Sequence, residues 1–155
     1  MNNLWPKPAF RIPERQTKLF IQEIDPYLDF SAVKLALDVG SRDGFVAMEF
    51  RELFPNASVC AFECDPVGVQ ICRRNLKDTG VTLVESAVLN LDGKTAFNHV
   101  ISNPGTSSVL VPAIDFKARG IAASNALDTQ EVPCLRLDTR AERLYHGRSW
   151  IQSPR

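Results

Sequence analysis

The sequence predicts an α/β fold built on a parallel sheet, and three observations carry that prediction. Leu35–Gly40, Val59–Phe62 and Val81–Leu89 are short apolar runs, as strands buried on both faces read. The stretches between them place apolar residues at helical spacing: Val46, Phe50, Leu53 and Phe54 in the first, Val69, Cys72 and Leu76 in the second. Turn residues punctuate every junction. Strand, helix, strand, helix, strand implies right-handed crossovers, the first half of a doubly wound sheet.

In chain order, residues 1–13 are broken by Pro6, Pro8 and Pro13 and read as an extended arm. From Glu14 a helical pattern runs through Phe20, Ile21, Ile24 and Leu28, and Asp25-Pro26 kinks or restarts it. Residues 1–33 thus form an arm and helix, and 34–155 one domain. Ser41-Arg-Asp-Gly44 is a tight turn after the first strand, with Asp43 as the expected N-cap of the helix that follows. Pro55-Asn56 ends that helix. Asp65-Pro66 starts the next, a capping carboxylate followed by proline at the first helical position, and Gly80 is its expected stop.

After the third strand the rhythm changes. Leu91-Asp-Gly93 is a turn signal that predicts an antiparallel hairpin between the third strand and Thr95–Ile101. Asn103-Pro-Gly-Thr-Ser-Ser108 reads as a loop, Val109–Val111 and Val132–Leu137 as strands, and Asp138–Tyr145 as a short capped helix. Residues 115–130 carry no clear period and admit helix or loop.

Composition bounds the function. The chain has 155 residues, 45% of them hydrophobic, and its 18 basic residues balance 18 acidic ones. A chain of this length buries ~68–70% of its unfolded surface, so it needs no disulfide or metal staple. The charge balance argues against a general nucleic-acid binder. The N-terminus lacks a basic segment followed by an apolar one, and no apolar run reaches the ~20 residues that span a bilayer, so neither secretion nor a membrane partner is expected. Cys60, Cys64, Cys72 and Cys134 do not fall at metal-binding spacing, and His99 and His146 lie far from them in sequence. No metal is expected. Free, buried thiols in a reducing cytoplasm are the reading.

Three features meet where a doubly wound sheet places its ligand, at the carboxyl ends of the strands. Gly40-Ser-Arg-Asp-Gly44 lets backbone pass close to a ligand. Asp38 is an acid inside an apolar strand, and a buried carboxylate asks for a cationic partner. Glu63 ends the second strand, where an acid commonly accepts from two ribose hydroxyls. Together they ask for a ribose, an adjacent cation and no pyrophosphate. NAD fits poorly, since it wants GxGxxG and an acid here would face its phosphates. S-adenosylmethionine fits, with Asp38 on its ammonium group and Glu63 on its ribose.

Each feature also has a plain structural reading. The glycines could serve only a tight turn, Asp38 could pair with an internal arginine or cap a backbone N–H, and Glu63 could be an exposed strand-end acid. Arg42 and Asp43 could be solvated turn residues, and Arg73-Arg74 reads as a solvated helix face.

Leu37-Asp-Val-Gly-Ser-Arg-Asp-Gly44, Pro55-Asn-Ala-Ser-Val-Cys-Ala-Phe-Glu-Cys-Asp-Pro66, Asn75-Leu76, Asp92-Gly93 and Asn103-Pro-Gly-Thr-Ser-Ser108 resemble the FkbM-type methyltransferases in order and spacing, over residues 35–145. The resemblance implies a Rossmann-like class I core that uses S-adenosylmethionine to methylate a hydroxyl of a sugar or other small molecule. It implies a cofactor loop of Asp38, Gly40, Ser41, Arg42, Asp43 and Gly44, with Glu63 on the ribose. Cys64 and Asp65 would lie against the adenine, and Ser86 and Ala87 would border its edge. The catalytic base has no candidate.

Two departures stand out. The family usually has proline at Cys64, a change that leaves the strand end intact. The family pattern also continues past a segment like Val132–Leu144 into a further core strand with a Lys-Ile-Asp-x-Glu-Gly motif, whereas this chain runs Ser149-Trp-Ile-Gln-Ser-Pro-Arg155. The expectation is therefore an incomplete, truncated sheet with the first strand at its edge, a place where a second copy could pair. The rival function is a non-catalytic methyltransferase fold that binds cofactor weakly or needs a partner chain.

Overall fold

The computed structural model describes residues 21, 23–100, 104–110 and 127–138. Its elements are β1 (Leu35–Val39), α1 (Phe45–Leu53), β2 (Ser58–Phe62), α2 (Pro66–Asn75), β3 (Thr82–Val84), β4 (Ala87–Val88), β5 (Gly93–Val100) and β6 (Leu127–Leu135). β1, β2 and β3 form a parallel sheet in that order. The strand–helix repeats and parallel sheet are those of a Rossmann-like core, as the sequence predicts.

Side-chain alternation in β2 explains how this sheet is covered. Val59 and Ala61 point to one face and pack with Ala47, Phe54, Cys72 and Leu76 of the helical layer. Cys60 and Phe62 point to the other and pack with Val84 and Leu135. β2 is buried on both faces, hence its unbroken apolar composition. Ile21 reaches the helical core, and a 3-10 turn over Asp25–Tyr27 follows it, where Asp25-Pro26 was expected to interrupt the helix. Residues 1–20 and 139–155, with the arm and the Asp138–Tyr145 helix predicted there, lie outside the described residues apart from Asp138 itself.

The second sheet departs from expectation. The run Val81–Leu89 is not one strand: β3 belongs to the first sheet and β4 to a second, ordered β4-β6-β5. A turn closed by Ser86 N–H on the Val84 carbonyl (3.0 Å) separates them. An antiparallel pair is present, but β5 pairs with β6 and not with the third strand. β6 lies between β4 and β5, parallel to the first and antiparallel to the second. Pro133 is tolerated in it because pairing with β4 involves only Cys134 and Leu135, beyond the missing N–H. β6 starts at Leu127 and ends at Leu135, where the sequence predicted 132–137. The expected strand at Val109–Val111 is absent over its described residues; the chain makes only an isolated bridge from Ser108 to Asn98.

Two capping expectations also change. Gly44, not Asp43, is the N-cap of α1, in a left-handed conformation with φ of 83°. Asp43 still contributes, since its Oδ1 accepts from the Phe45 N–H at 3.3 Å. α2 stops at Asn75, ahead of Gly80, and Gly80 sits at φ +77° in the following turn.

Candidate functional site

Val39, Phe62 and Val84 are in register across the first sheet, so the three strands end together and their successors share one edge. The loop after β1 folds over that edge. The N–H groups of Gly40 and Ser41 both donate to the Phe62 carbonyl, at 3.0 and 2.9 Å. Gly40, Arg42 and Gly44 all have positive φ, of 81°, 55° and 83°. Arg42 is the unusual one, because a left-handed conformation costs a residue with a Cβ about 1–2 kcal/mol. Asn75 of α2 holds the loop from outside, its Nδ2 donating to the Asp43 carbonyl at 2.8 Å. A Cβ on Gly44 would come within 2.8 Å of Leu76, so glycine is required there on two counts.

Asp38 lies half-buried at the end of β1, its Oδ2 accepting from Ser41 Oγ at 2.6 Å. Burial pushes its carboxyl above the usual range; the Ser41 hydroxyl and the Ala47 N–H oppose that rise, and Asp43 adds to it. Among the described residues no basic side chain pairs with Asp38, while the Ala47 N–H of α1 bonds its carboxylate, which is the backbone-capping alternative. A positive group placed beside this half-buried carboxylate and its acidic neighbour Asp43 would favour the charged form that burial disfavours.

Glu63 is buried and bound on both oxygens. Oε2 accepts from the Arg42 N–H at 2.6 Å, and Oε1 from the N–H groups of Cys64 and Asp65, each at 2.7 Å. The exposed-acid reading therefore fails. Three backbone donors fill three of the roughly four lone-pair positions of a carboxylate. Proline in place of Cys64 could not make one of these bonds. A Cβ on Gly68 would lie 3.0 Å from Glu63 Cγ and Cδ and 3.2 Å from the Arg42 carbonyl, so a side chain there would press on the carboxylate as α2 passes it.

Asp65 caps α2 as predicted, its Oδ1 accepting from the Val67 N–H at 2.9 Å. Its Oδ2 is 2.7 Å from Nδ1 of His99 on β5. The Cys64 side chain packs with the cluster of Ala87, Phe97, Val132 and Cys134. Burial, then the Glu63 and Asp65 charges, push its thiol up to about 12. Ser86 lies in the turn between β3 and β4, and Ala87 is the first residue of β4. Arg42 and Asp43 pair with each other at 3.1 Å. Arg73 makes two 2.6 Å bonds to Glu85, the helix-face role expected of it.

The fold thus brings Asp38, Gly40, Ser41, Arg42, Asp43, Gly44 and Glu63 into one bonded unit, with Asp65 attached. Sequence reasoning gave no role to Gly68, Asn75 or His99. A glycine inside a helix was a readable signal for the first; the other two act through contacts distant in sequence. Among the described residues no group of three or more His, Cys, Asp or Glu could hold a metal ion, and no helix is long and apolar enough to cross a membrane.

Residues 13–126 match a family model described as the methyltransferase small domain. The chain is 28% identical over 113 residues to a release factor glutamine methyltransferase of Geobacter sulfurreducens, covering 72% of this chain and 38% of that protein. It therefore spans well under half the length of this curated relative. No solved structure matches.

Proposed function

The chain belongs to the methyltransferase small-domain family, and from that premise we propose that it binds S-adenosylmethionine at the carboxyl edge of its parallel sheet and serves methyl transfer to a hydroxyl of a sugar or other small molecule. The observation that carries the cofactor reading is Asp38, an acid half-buried at a strand end with no cation beside it among the described residues. The bound group supplies a methyl already activated by the sulfonium charge.

The chain's residues bind and orient. Asp38 accepts from the cofactor ammonium, and Gly40, Ser41, Arg42, Asp43 and Gly44 carry backbone beneath it. Glu63, whose three accepted N–H bonds leave it about one further acceptor position, would hold the ribose. Cys64, Asp65, Ser86 and Ala87 border the adenine. The hydroxyl acceptor rests on the FkbM-type resemblance. The relative named for glutamine methylation in a release factor makes a protein amide the competing acceptor. Alignment of the acceptor with the methyl, more than acid–base chemistry, is what the site has to provide. The free thiols fit a cytoplasmic setting.

A second reading has one observation in its favour. Among the described residues β1 is paired on one side only, and Val39 at its end is 53% exposed. A second copy completing that edge would make cofactor binding, and any methyl transfer, a property of the dimer.

Calorimetric titration with S-adenosylhomocysteine, with NADH as control, tests the proposal. Saturable binding of the homocysteine nucleoside, absent for NADH and lost in Glu63→Ala, is expected. A folded chain that binds neither ligand refutes the cofactor reading. Light scattering on the same samples decides the second reading, since a stable monomer that binds rules it out.

A further inference from the structure

We propose that His99 is a positioning residue for the cofactor corner, holding Glu63 in place through Asp65. His99 stands on β5 in the second sheet, whereas Asp38, the glycine loop, Glu63 and Asp65 lie on or directly after strands of the first. Its Nδ1 lies 2.7 Å from Asp65 Oδ2, and the two side chains are 12% and 11% exposed. An ionised carboxylate only accepts hydrogen bonds, so Nδ1 carries the proton whether the ring is neutral or charged.

The bond leads directly to the ribose acid. Asp65 uses its other oxygen to cap α2 through the Val67 N–H, and its own N–H donates to Glu63 Oε1. Glu63 Oε2 in turn accepts from Arg42 in the loop. His99, Asp65, Glu63 and Arg42 therefore form one continuous hydrogen-bonded line from the second sheet to the glycine loop. Without the imidazole, Asp65 keeps its cap but loses the bond that fixes its rotation. The turn carrying the Cys64 and Asp65 amides then loses this hydrogen bond to β5 and keeps its bonds to Glu63 and the packing of Cys64. Among the described residues, Asp128 is the charged partner of His99 across the β5–β6 ladder, and it accepts from Gln130 at 2.6 Å.

The affinity part of this inference rests on the cofactor reading; the positioning part does not. Two variants lack the donor, His99→Ala and His99→Phe, the second retaining a ring. His99→Asn keeps an N–H close to the place of Nδ1. Amide hydrogen exchange is read at Arg42, Cys64 and Asp65, with Val59 to Ala61 of β2 as internal reference, beside S-adenosylhomocysteine affinity. Loss of a bond to a charged group predicts exchange about tenfold faster or more at those three amides in the donor-less variants, unchanged β2 amides, and product binding weaker by a similar factor. His99→Asn should restore both. Unchanged exchange at the three amides, or no rescue by asparagine, overturns the proposal. Should the parent bind no product, the cofactor reading falls and the exchange data alone decide the role of His99.

Discussion

Replacing Asp38 with asparagine separates what the site needs from what the fold needs. The side chain keeps its shape, and both of its contacts can survive. The carbonyl oxygen takes the Ala47 N–H while the new amide donates to Ser41 Oγ, since a hydroxyl both donates and accepts. What disappears is the negative charge. A hydrogen bond to a charged group is worth about 1.5–3 kcal/mol, so S-adenosylhomocysteine should bind roughly 10- to 150-fold more weakly. Stability should move the other way. Burial raises the Asp38 carboxyl above its ordinary value of 3.8, so the folded state favours the protonated form. That contribution is complete below pH 3.8 and is lost as pH rises through the raised value. At pH 7 Asp38→Asn should therefore be at least as stable as the parent, with the advantage vanishing towards pH 4. Calorimetry and thermal unfolding across pH 4–8 check both halves. Parent-like product affinity refutes the cation site. A Tm lower by more than ~2–4 °C, about 1 kcal/mol for a chain of this size, refutes the argument that the charge is a burden on the fold.

Glu63→Gln should act on stability in the opposite sense, because its amide turns a donor towards the Arg42 N–H; chemical denaturation should show a loss of about 1–3 kcal/mol. Gly68→Ala gains about 0.5–1 kcal/mol of helix preference but presses on Glu63, which three N–H groups hold fast. Unfolding curves should place its stability within about 1 kcal/mol of the parent, while titration shows weaker product binding. Burial pushes the thiols of Cys60, Cys64 and Cys72 up to about 11, 12 and 12 from 9.0. Their contribution is intact below pH 9 and falls as pH rises towards those values, by at most about 1.4 kcal/mol per pH unit for each thiol. Denaturation at pH 7.5, 9 and 10.5 reads that slope, and alkylation at pH 8 should be slow at all three.

The legible parts of this chain were those governed by neighbours in sequence. Asp65-Pro66 announces a helix start, and the carboxylate caps it at 2.9 Å. Leu35–Val39 and Ser58–Phe62 are strands because no polar face interrupts them. The positions of Asp38, the glycine loop and Glu63 follow once those strands are parallel. The run Val81–Leu89 misleads for a physical reason: both of its halves are apolar, and composition does not say which sheet each half joins. The partner of β5 is set by a strand that starts at Leu127, beyond the reach of a local turn signal. His99 and Asp65 meet across 34 residues of sequence. The three donors on Glu63 depend on the left-handed backbone of Arg42 and on an ordinary peptide N–H at Cys64, neither of which a side-chain pattern records.

The position of β6 also sets an order of events. β4 and β5 are joined by the short segment 89–92 and so stay close in every state of the chain, yet neither can satisfy its ladder until β6 enters between them. That entrance closes a loop over 101–126, whose entropy must be met before any contact rewards it. The β1–β2–β3 sheet closes the shorter connections 40–57 and 63–81, each of which carries its own helix. Pulse-labelled exchange during refolding should protect Val59–Phe62 before Val132–Leu135. The same late insertion pins β5, and with it His99 against Asp65, so the ribose corner is completed in the step that finishes the fold.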